Sequence, residues 1–213
     1  YATLGRTGVY PVQNALQALT EGESVNSQVK VAKSLLNDLP ESNWLNKNEV
    51  LGDHKMGVDA ALYDLLLHPR DRRYLVPEVL KLLTRAGMEL VSFIEPIRYE
   101  PEIYLKDNEL RKRARKLGDD ARAALAENLS GTIKTHTLYV RKKNGGAAGT
   151  AKLDPEMIPF LKDNNVEALS RALAARSTLT VHFDTAPITF DIPDGATEVV
   201  RRIDNRKSFR EIQ

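Results

Sequence analysis

The feature that most constrains this chain is a change of hydrophobic period at Gly87. Before it, apolar residues recur at helical spacing. Val12, Leu16 and Leu19 share one face of a helix predicted over Val9–Leu19, with Pro11 in the first turn, where a missing N–H costs little. Val29, Ala32, Leu35 and Leu36 make a second amphipathic helix, stopped by Pro40. A short turn is expected around Asn43-Trp-Leu-Asn. Val58, Leu62, Leu65 and Leu66 give a third stripe that ends at His68-Pro69. A fourth helix begins at Val76, with Pro77 near its start and Gly87 where a left-handed residue would end it. After Gly87, residues 88–95 are rich in β-formers and bounded by Pro96, so they read as a strand fed directly by that helix. Residues 108–129 return to a helical pattern, with a break expected near Gly118. Residues 132–141 read as a second strand, and neither of its faces is cleanly polar, as expected of an interior strand covered on both sides.

A linker-like stretch, Lys142-Lys-Asn-Gly-Gly-Ala-Ala-Gly-Thr-Ala-Lys, divides the chain, and we set domains at 1–143 and 144–213. Beyond it, 166–175 is predicted helical, 178–183 and 188–192 are short strands around Pro187, and 194–204 is a helix. That order suggests a small winged-helix-like module. The chain starts at Tyr1 rather than Met and stops at Gln213 inside a helical pattern, so a piece of a longer protein is expected.

Composition excludes several classes. Among 213 residues, 31 basic side chains face 29 acidic ones, and a net charge of +2 is too even to call for nucleic acid or an anionic membrane. The absence of cysteine removes disulfides, thiolate metal sites and cysteine nucleophiles. No apolar run approaches the ~20 residues that span a bilayer, and no signal peptide is visible, so a cytoplasmic location is expected. The four histidines, His54, His68, His136 and His182, fall in no metal-ligand spacing, and no metal site is expected. No nucleophile elbow, phosphate-binding loop or dinucleotide fingerprint occurs.

Three polar clusters remain. Leu67-His-Pro-Arg-Asp-Arg-Arg-Tyr joins two helices and projects His68, Arg70, Asp71, Arg72 and Tyr74 from a rigid frame. It serves either as a capped turn with a surface ion pair or as a substrate-facing loop in which His68 or Tyr74 handles a proton. Leu4-Gly-Arg-Thr-Gly-Val-Tyr puts Arg6 and Tyr10 at a helix start between glycines that permit close backbone approach. The basic run Arg111-Lys-Arg-Ala-Arg-Lys is flanked by acids and lacks interleaved aromatics, so a solvated helix face is expected there and nucleic acid is not.

The combination of Gly5-Arg-Thr-Gly-Val-Tyr, Asn43-Trp-Leu, Tyr63-Asp-Leu-Leu-Leu-His-Pro-Arg-Asp-Arg-Arg-Tyr-Leu-Val-Pro-Glu-Val and Arg98-Tyr-Glu-Pro-Glu-Ile-Tyr-Leu resembles the C-terminal half of bacterial class I S-adenosylmethionine-dependent methyltransferases. The resemblance covers about residues 1–142. It implies an α/β fold, α+β in the segment alone: a helical cap plus the last two strands of a Rossmann-like sheet, followed by the winged-helix-like α+β domain. The family's glycine-rich turn and acidic residue for S-adenosylmethionine are missing, so no cofactor-binding residue is carried over, and the cofactor is not expected to bind this chain alone. The resemblance implies that His68, Arg72 and Tyr74, with Arg6 and Tyr10, line the side facing an unidentified methyl acceptor. The expected partners are the missing Rossmann half and a second copy through an open sheet edge. The competing expectation is a non-catalytic protein- or peptide-binding module, recognising its target through the winged-helix-like tail.

Overall fold

A computed structural model describes residues 1–145, 152–162, 164–183 and 186–212. The described residues are a mixture of helices and short strands, and they fall into two compact units, one built on Tyr1–Gly145 and one on the chain beyond it. The glycines and alanines of the linker at 146–151 lie outside the described residues, as does Gln213.

The first unit starts with four helices. They are α1 (Val9–Leu19), α2 (Val25–Asp38), the single turn α3 (Trp44–Lys47) and α4 (Asp59–Leu66). Their apolar stripes meet in one core, where Val9, Val12, Leu16, Ala32, Leu45 and Leu65 are almost fully buried. Each large aliphatic side chain so buried contributes about 1.5–3 kcal/mol. Caps set the boundaries. The Ser24 hydroxyl accepts from the Ser27 N–H at 3.4 Å, and the Asn43 side chain accepts from the Leu45 N–H at 2.9 Å.

Helix α5 (Val76–Arg85) then leads through Gly87, at φ 67°, straight into strand β1 (Met88–Phe93). The Glu78 carboxylate accepts the Leu75 N–H at 2.7 Å and ties down the first turn of α5. After β1, Glu95 adopts a left-handed conformation and two 3₁₀ turns follow, Pro96–Tyr99 and Pro101–Ile103. Next come α6 (Asn108–Arg115) and α7 (Asp119–Ser130), separated by the break expected at Gly118. Arg122 of α7 donates to Glu102 at 2.6 Å and also pairs with Glu100, which pins the 3₁₀ turns to that helix. A second core gathers Ala2, Val76, Phe93, Tyr99, Ala123 and Ile133.

The second strand corrects the sequence reading. Strand β2 covers Leu138–Lys142, not 132–141, and pairs antiparallel with β1 from Phe93↔Leu138 to Met88↔Lys142, with an irregularity between Leu90 and Ser92. The reason is the partner. The carbonyls of Ile133 and Lys134 are taken by the Gly5 and Ala2 N–H groups, at 3.1 and 2.8 Å, so this stretch packs against the start of the chain rather than extending the ladder. Nor is β2 covered on both sides: Tyr139 is 65% exposed, and the sheet has only these strands among the described residues.

The second unit contains α8 (Val166–Ala174), the two-stranded β3 (Thr178–Phe183) and β4 (Ala186–Asp191), α9 (Ala196–Arg201) and the turn α10 (Phe209–Ile212). Pro187 lies within β4 instead of between the strands; in a two-stranded ribbon every strand is an edge, where a missing N–H is tolerated. Helix α9 is shorter than expected because Gly195, at φ 80°, starts it late. Among the described residues, no helix is long and apolar enough to cross a membrane.

Candidate functional site

Two glycines build the site. A Cβ on Gly5 would sit 2.3 Å from the Ile133 carbonyl oxygen, and one on Gly8 would sit 2.2 Å from the Leu45 nitrogen. Gly8 also has φ 94°, open to few residues besides glycine. The Gly-Arg-Thr-Gly phrase is therefore a place where backbone presses on backbone. The Arg6 between them is driven inward, and only 3% of it is exposed.

Arg6 meets the turn after α4. Its guanidinium forms an ion pair with Asp71, and both side chains are nearly inaccessible, 4% and 2% exposed. Gln13, one turn along α1 from Tyr10, donates to the same Asp71 Oδ2 at 3.0 Å and to the Leu65 carbonyl at 2.9 Å. The Arg6 guanidinium also lies 3.8 Å over the ring of Tyr1, and Arg73 stacks 4.3 Å over the ring of Tyr10. Burial pushes the Tyr10 hydroxyl above its ordinary pKa, against the opposing pull of Arg6. Three buried polar atoms in this cluster have no hydrogen-bond partner: Arg6 Nε, Tyr10 OH and Asp71 Oδ1. Native interiors leave few such atoms, so three of them in one cluster call for an explanation.

The residues singled out from sequence divide. Arg6 and Tyr10 come together in this cluster. His68, Arg72 and Tyr74 do not join it. His68 is exposed, and its Nδ1 accepts the Arg70 N–H at 3.2 Å, closing its own turn. The Arg72 side chain is exposed; its carbonyl accepts from the Tyr1 nitrogen at 3.1 Å. Tyr74 works through its backbone, pairing in parallel with Ala2: its N–H donates to Tyr1 and its carbonyl accepts from Thr3. The loop's contribution to the buried cluster is Asp71, with Arg73 over Tyr10.

A second buried cluster stands on the sheet side of the same loop. The Glu127 carboxylate, 1% exposed, accepts the Val76 N–H at 2.8 Å through Oε2, and its Oε1 lies 3.2 Å from His136 Nε2. The same nitrogen lies 3.1 Å from the Tyr74 carbonyl, and His136 Nδ1 lies 3.0 Å from the Tyr99 hydroxyl. Facing two acceptors, Nε2 carries a proton, and Nδ1 is hydrogen-bonded to the Tyr99 hydroxyl. Burial raises the Tyr99 hydroxyl far above its ordinary range. Sequence reading missed this group because a lone glutamate in an alanine-rich helix looks like a surface residue, and a histidine in an extended run gives no sign of which distant side chains it meets.

Among the described residues, no three His, Asp or Glu side chains converge on one point. The cradle that S-adenosylmethionine needs, a strand, a glycine-rich turn and a helix N-terminus, is not built among the described residues: β1 runs into Ile94-Glu95-Pro96 and a 3₁₀ turn. The residues present do not fit that cofactor, and no transfer step can be assigned to them. No model of a known protein family matches the sequence.

Proposed function

We propose that residues 1–145 are the acceptor-side part of a class I S-adenosylmethionine-dependent methyltransferase, with the cofactor cradle supplied by polypeptide outside this sequence and a winged-helix-like module appended. The observation that carries the reading is the register at the start of the chain. Ala2 N–H meets Lys134 O and Gly5 N–H meets Ile133 O, so the backbone here runs opposite in direction to the segment that leads into β2. A strand arriving at Tyr1 along that line would lie beside the free edge of β2 and extend the sheet. In such a sheet β1 and β2 are its last two strands, and α1–α4 with the 68–74 loop cover its mouth. Methyl transfer asks the protein chiefly to align an acceptor and exclude water, which a rigid cap with buried polar groups can do. Such an enzyme works in the cytoplasm.

Titration calorimetry with S-adenosylmethionine tests the reading on two proteins: this chain, and the same chain with its upstream coding region included. Binding by the longer protein alone is the expected result. Absence of binding by both overturns the reading and leaves the peptide-binding alternative.

A further inference from the structure

Within the first unit, a groove of about 530 Å³ runs between α1, the start of α2 and the turn after α4. That volume falls inside the ~300–1,000 Å³ range of ligand sites. Its wall is unusual in composition. Gln13, Asn14 and Gln17 of α1 and Gln28 of α2 all line it, so four of its polar side chains are amides. Each amide carries donors and an acceptor, which is what an extended peptide backbone requires. The lining acids are Glu23 and Asp71, and no Lys or Arg lines the groove among the described residues; His68 is the other titratable group besides the Tyr63 hydroxyl.

Asp71 is the second, independent observation. Its side chain is 2% exposed, it lines the groove, and its Oδ1 has no hydrogen-bond partner, while Oδ2 is taken by Arg6 and Gln13. Arg6 and Gln13 occupy Oδ2, so Oδ1 is the carboxylate oxygen still able to accept a donor, and such a bond would relieve the cost of leaving it unmatched.

We propose that this groove binds an extended peptide bearing a primary amine, with an ammonium N–H donated to Asp71 Oδ1. The Tyr63 ring and Leu67 flank the aliphatic stem, the Asn14 and Gln17 amides pair with peptide N–H and C=O groups while Gln13 and Gln28 donate within the fold, and exposed Glu23 draws the positive charge to the mouth. The inference deepens the acceptor-side reading and rests on it for the fate of the amine, not for the binding.

The test is an NMR titration of the full chain, without cofactor, using blocked tetrapeptides that carry lysine, norleucine or glutamate at one position. The lysine peptide is expected to shift the Asn14 and Gln17 side-chain amides and to bind roughly tenfold more tightly than the norleucine peptide. Glu23→Lys, a change at an exposed position, is expected to weaken it roughly threefold or more. Asp71→Asn, where folded, is expected to abolish the preference for lysine; if that variant fails to fold, Glu23→Lys and the peptide series decide. Equal affinity for the three peptides, tighter binding of the glutamate peptide, or no shift at about 10 mM peptide overturns the proposal. Binding without methyl transfer by the longer protein would retire the acceptor-side reading and leave the groove standing.

Discussion

The 68–75 segment is held from two sides by buried polar clusters of opposite character. On the helical side, Arg6 and Asp71 are paired, yet Arg6 Nε, Asp71 Oδ1 and the Tyr10 hydroxyl are left over. On the sheet side, the contacts of Glu127, His136 and Tyr99 form a chain: Val76 N–H to Glu127, Nε2 of His136 toward Glu127 and Tyr74, Tyr99 to Nδ1. The second cluster leaves one atom without a hydrogen bond, Glu127 Oε1, and that atom still lies 3.2 Å from His136 Nε2, so the cluster behaves as a fastening. The first spends buried polar atoms without matching them, a cost that stability alone does not explain. Two buried networks a few residues apart can thus be assigned different work by counting their unmet hydrogen bonds.

The largest expected effect lies in the Arg6–Asp71 pair. Arg6→Met leaves a carboxylate buried without its counter-ion, and a loss of about 3–5 kcal/mol in urea unfolding is expected. Combining it with Asp71→Leu removes the stranded charge, and most of that loss should be recovered. If the single variant unfolds at the wild-type midpoint, the pair is not desolvated and the contrast between the clusters fails.

Tyr99→Phe comes next. It leaves Nδ1 of His136 buried without its hydrogen-bond partner, at a cost of about 1–3 kcal/mol. It also has a signature in alkali. Burial holds the Tyr99 hydroxyl protonated in the folded state while the unfolded chain ionises near pH ~10. The stability this provides is complete below that pH and is lost as the pH climbs further. Wild-type unfolding free energy should therefore fall above about pH 10, and Tyr99→Phe should flatten the fall. An unchanged alkaline slope would remove Tyr99 from the fastening.

A smaller effect is expected in acid at the clamp between α7 and the 3₁₀ turns. The hydrogen bond from Arg122 holds the Glu102 carboxyl below its usual range, against a desolvation effect that raises it. Its contribution is present above the unfolded-state pKa of about 4.3 and fades as pH falls through the lower folded value. The pair is only partly buried, so Glu102→Gln should cost about 1 kcal/mol or less at neutral pH and reduce acid sensitivity, as read by thermal unfolding between pH 3 and 7.

How much of this could be read from the residues follows from which forces are local. The period of Val12, Leu16 and Leu19 and the proline in the first turn delimit α1 with the observed bounds, because helix periodicity and end signals act within a few residues, although Leu19 at the helix end is exposed and only Val12 and Leu16 of that face enter the core. Gly118 breaks the helical stretch for the same reason. The strand over 132–141 fails because a ladder needs a partner, and Ala2 and Gly5, more than a hundred residues away, claim its first half. In the site, Gly5-Arg-Thr-Gly was legible as a close approach, and Arg6 with Tyr10 followed from it. Which side chain of His68-Pro-Arg-Asp-Arg-Arg-Tyr turns inward was not, since a turn of consecutive charged residues gives no period to read. Gln13 carried a faint signal, three positions after Tyr10 on the same helix face.

The smallest expected effect is the sharpest test of the contrast. Tyr10 and Tyr99 are both buried tyrosines whose hydroxyls burial makes harder to ionise. Tyr99 has a partner and Tyr10 has none. Removing an unpartnered buried hydroxyl deletes a desolvated group and loses no bond, so Tyr10→Phe should change unfolding free energy by less than about 0.5 kcal/mol, or raise it. Its ring keeps the stacking with Arg73. A loss above about 1 kcal/mol would mean that the hydroxyl is satisfied, and the two clusters would then be alike. A neutral Tyr10→Phe beside a costly Tyr99→Phe would show that the Tyr10 hydroxyl does not hold the folded chain together and that the two clusters differ in what their hydroxyls do.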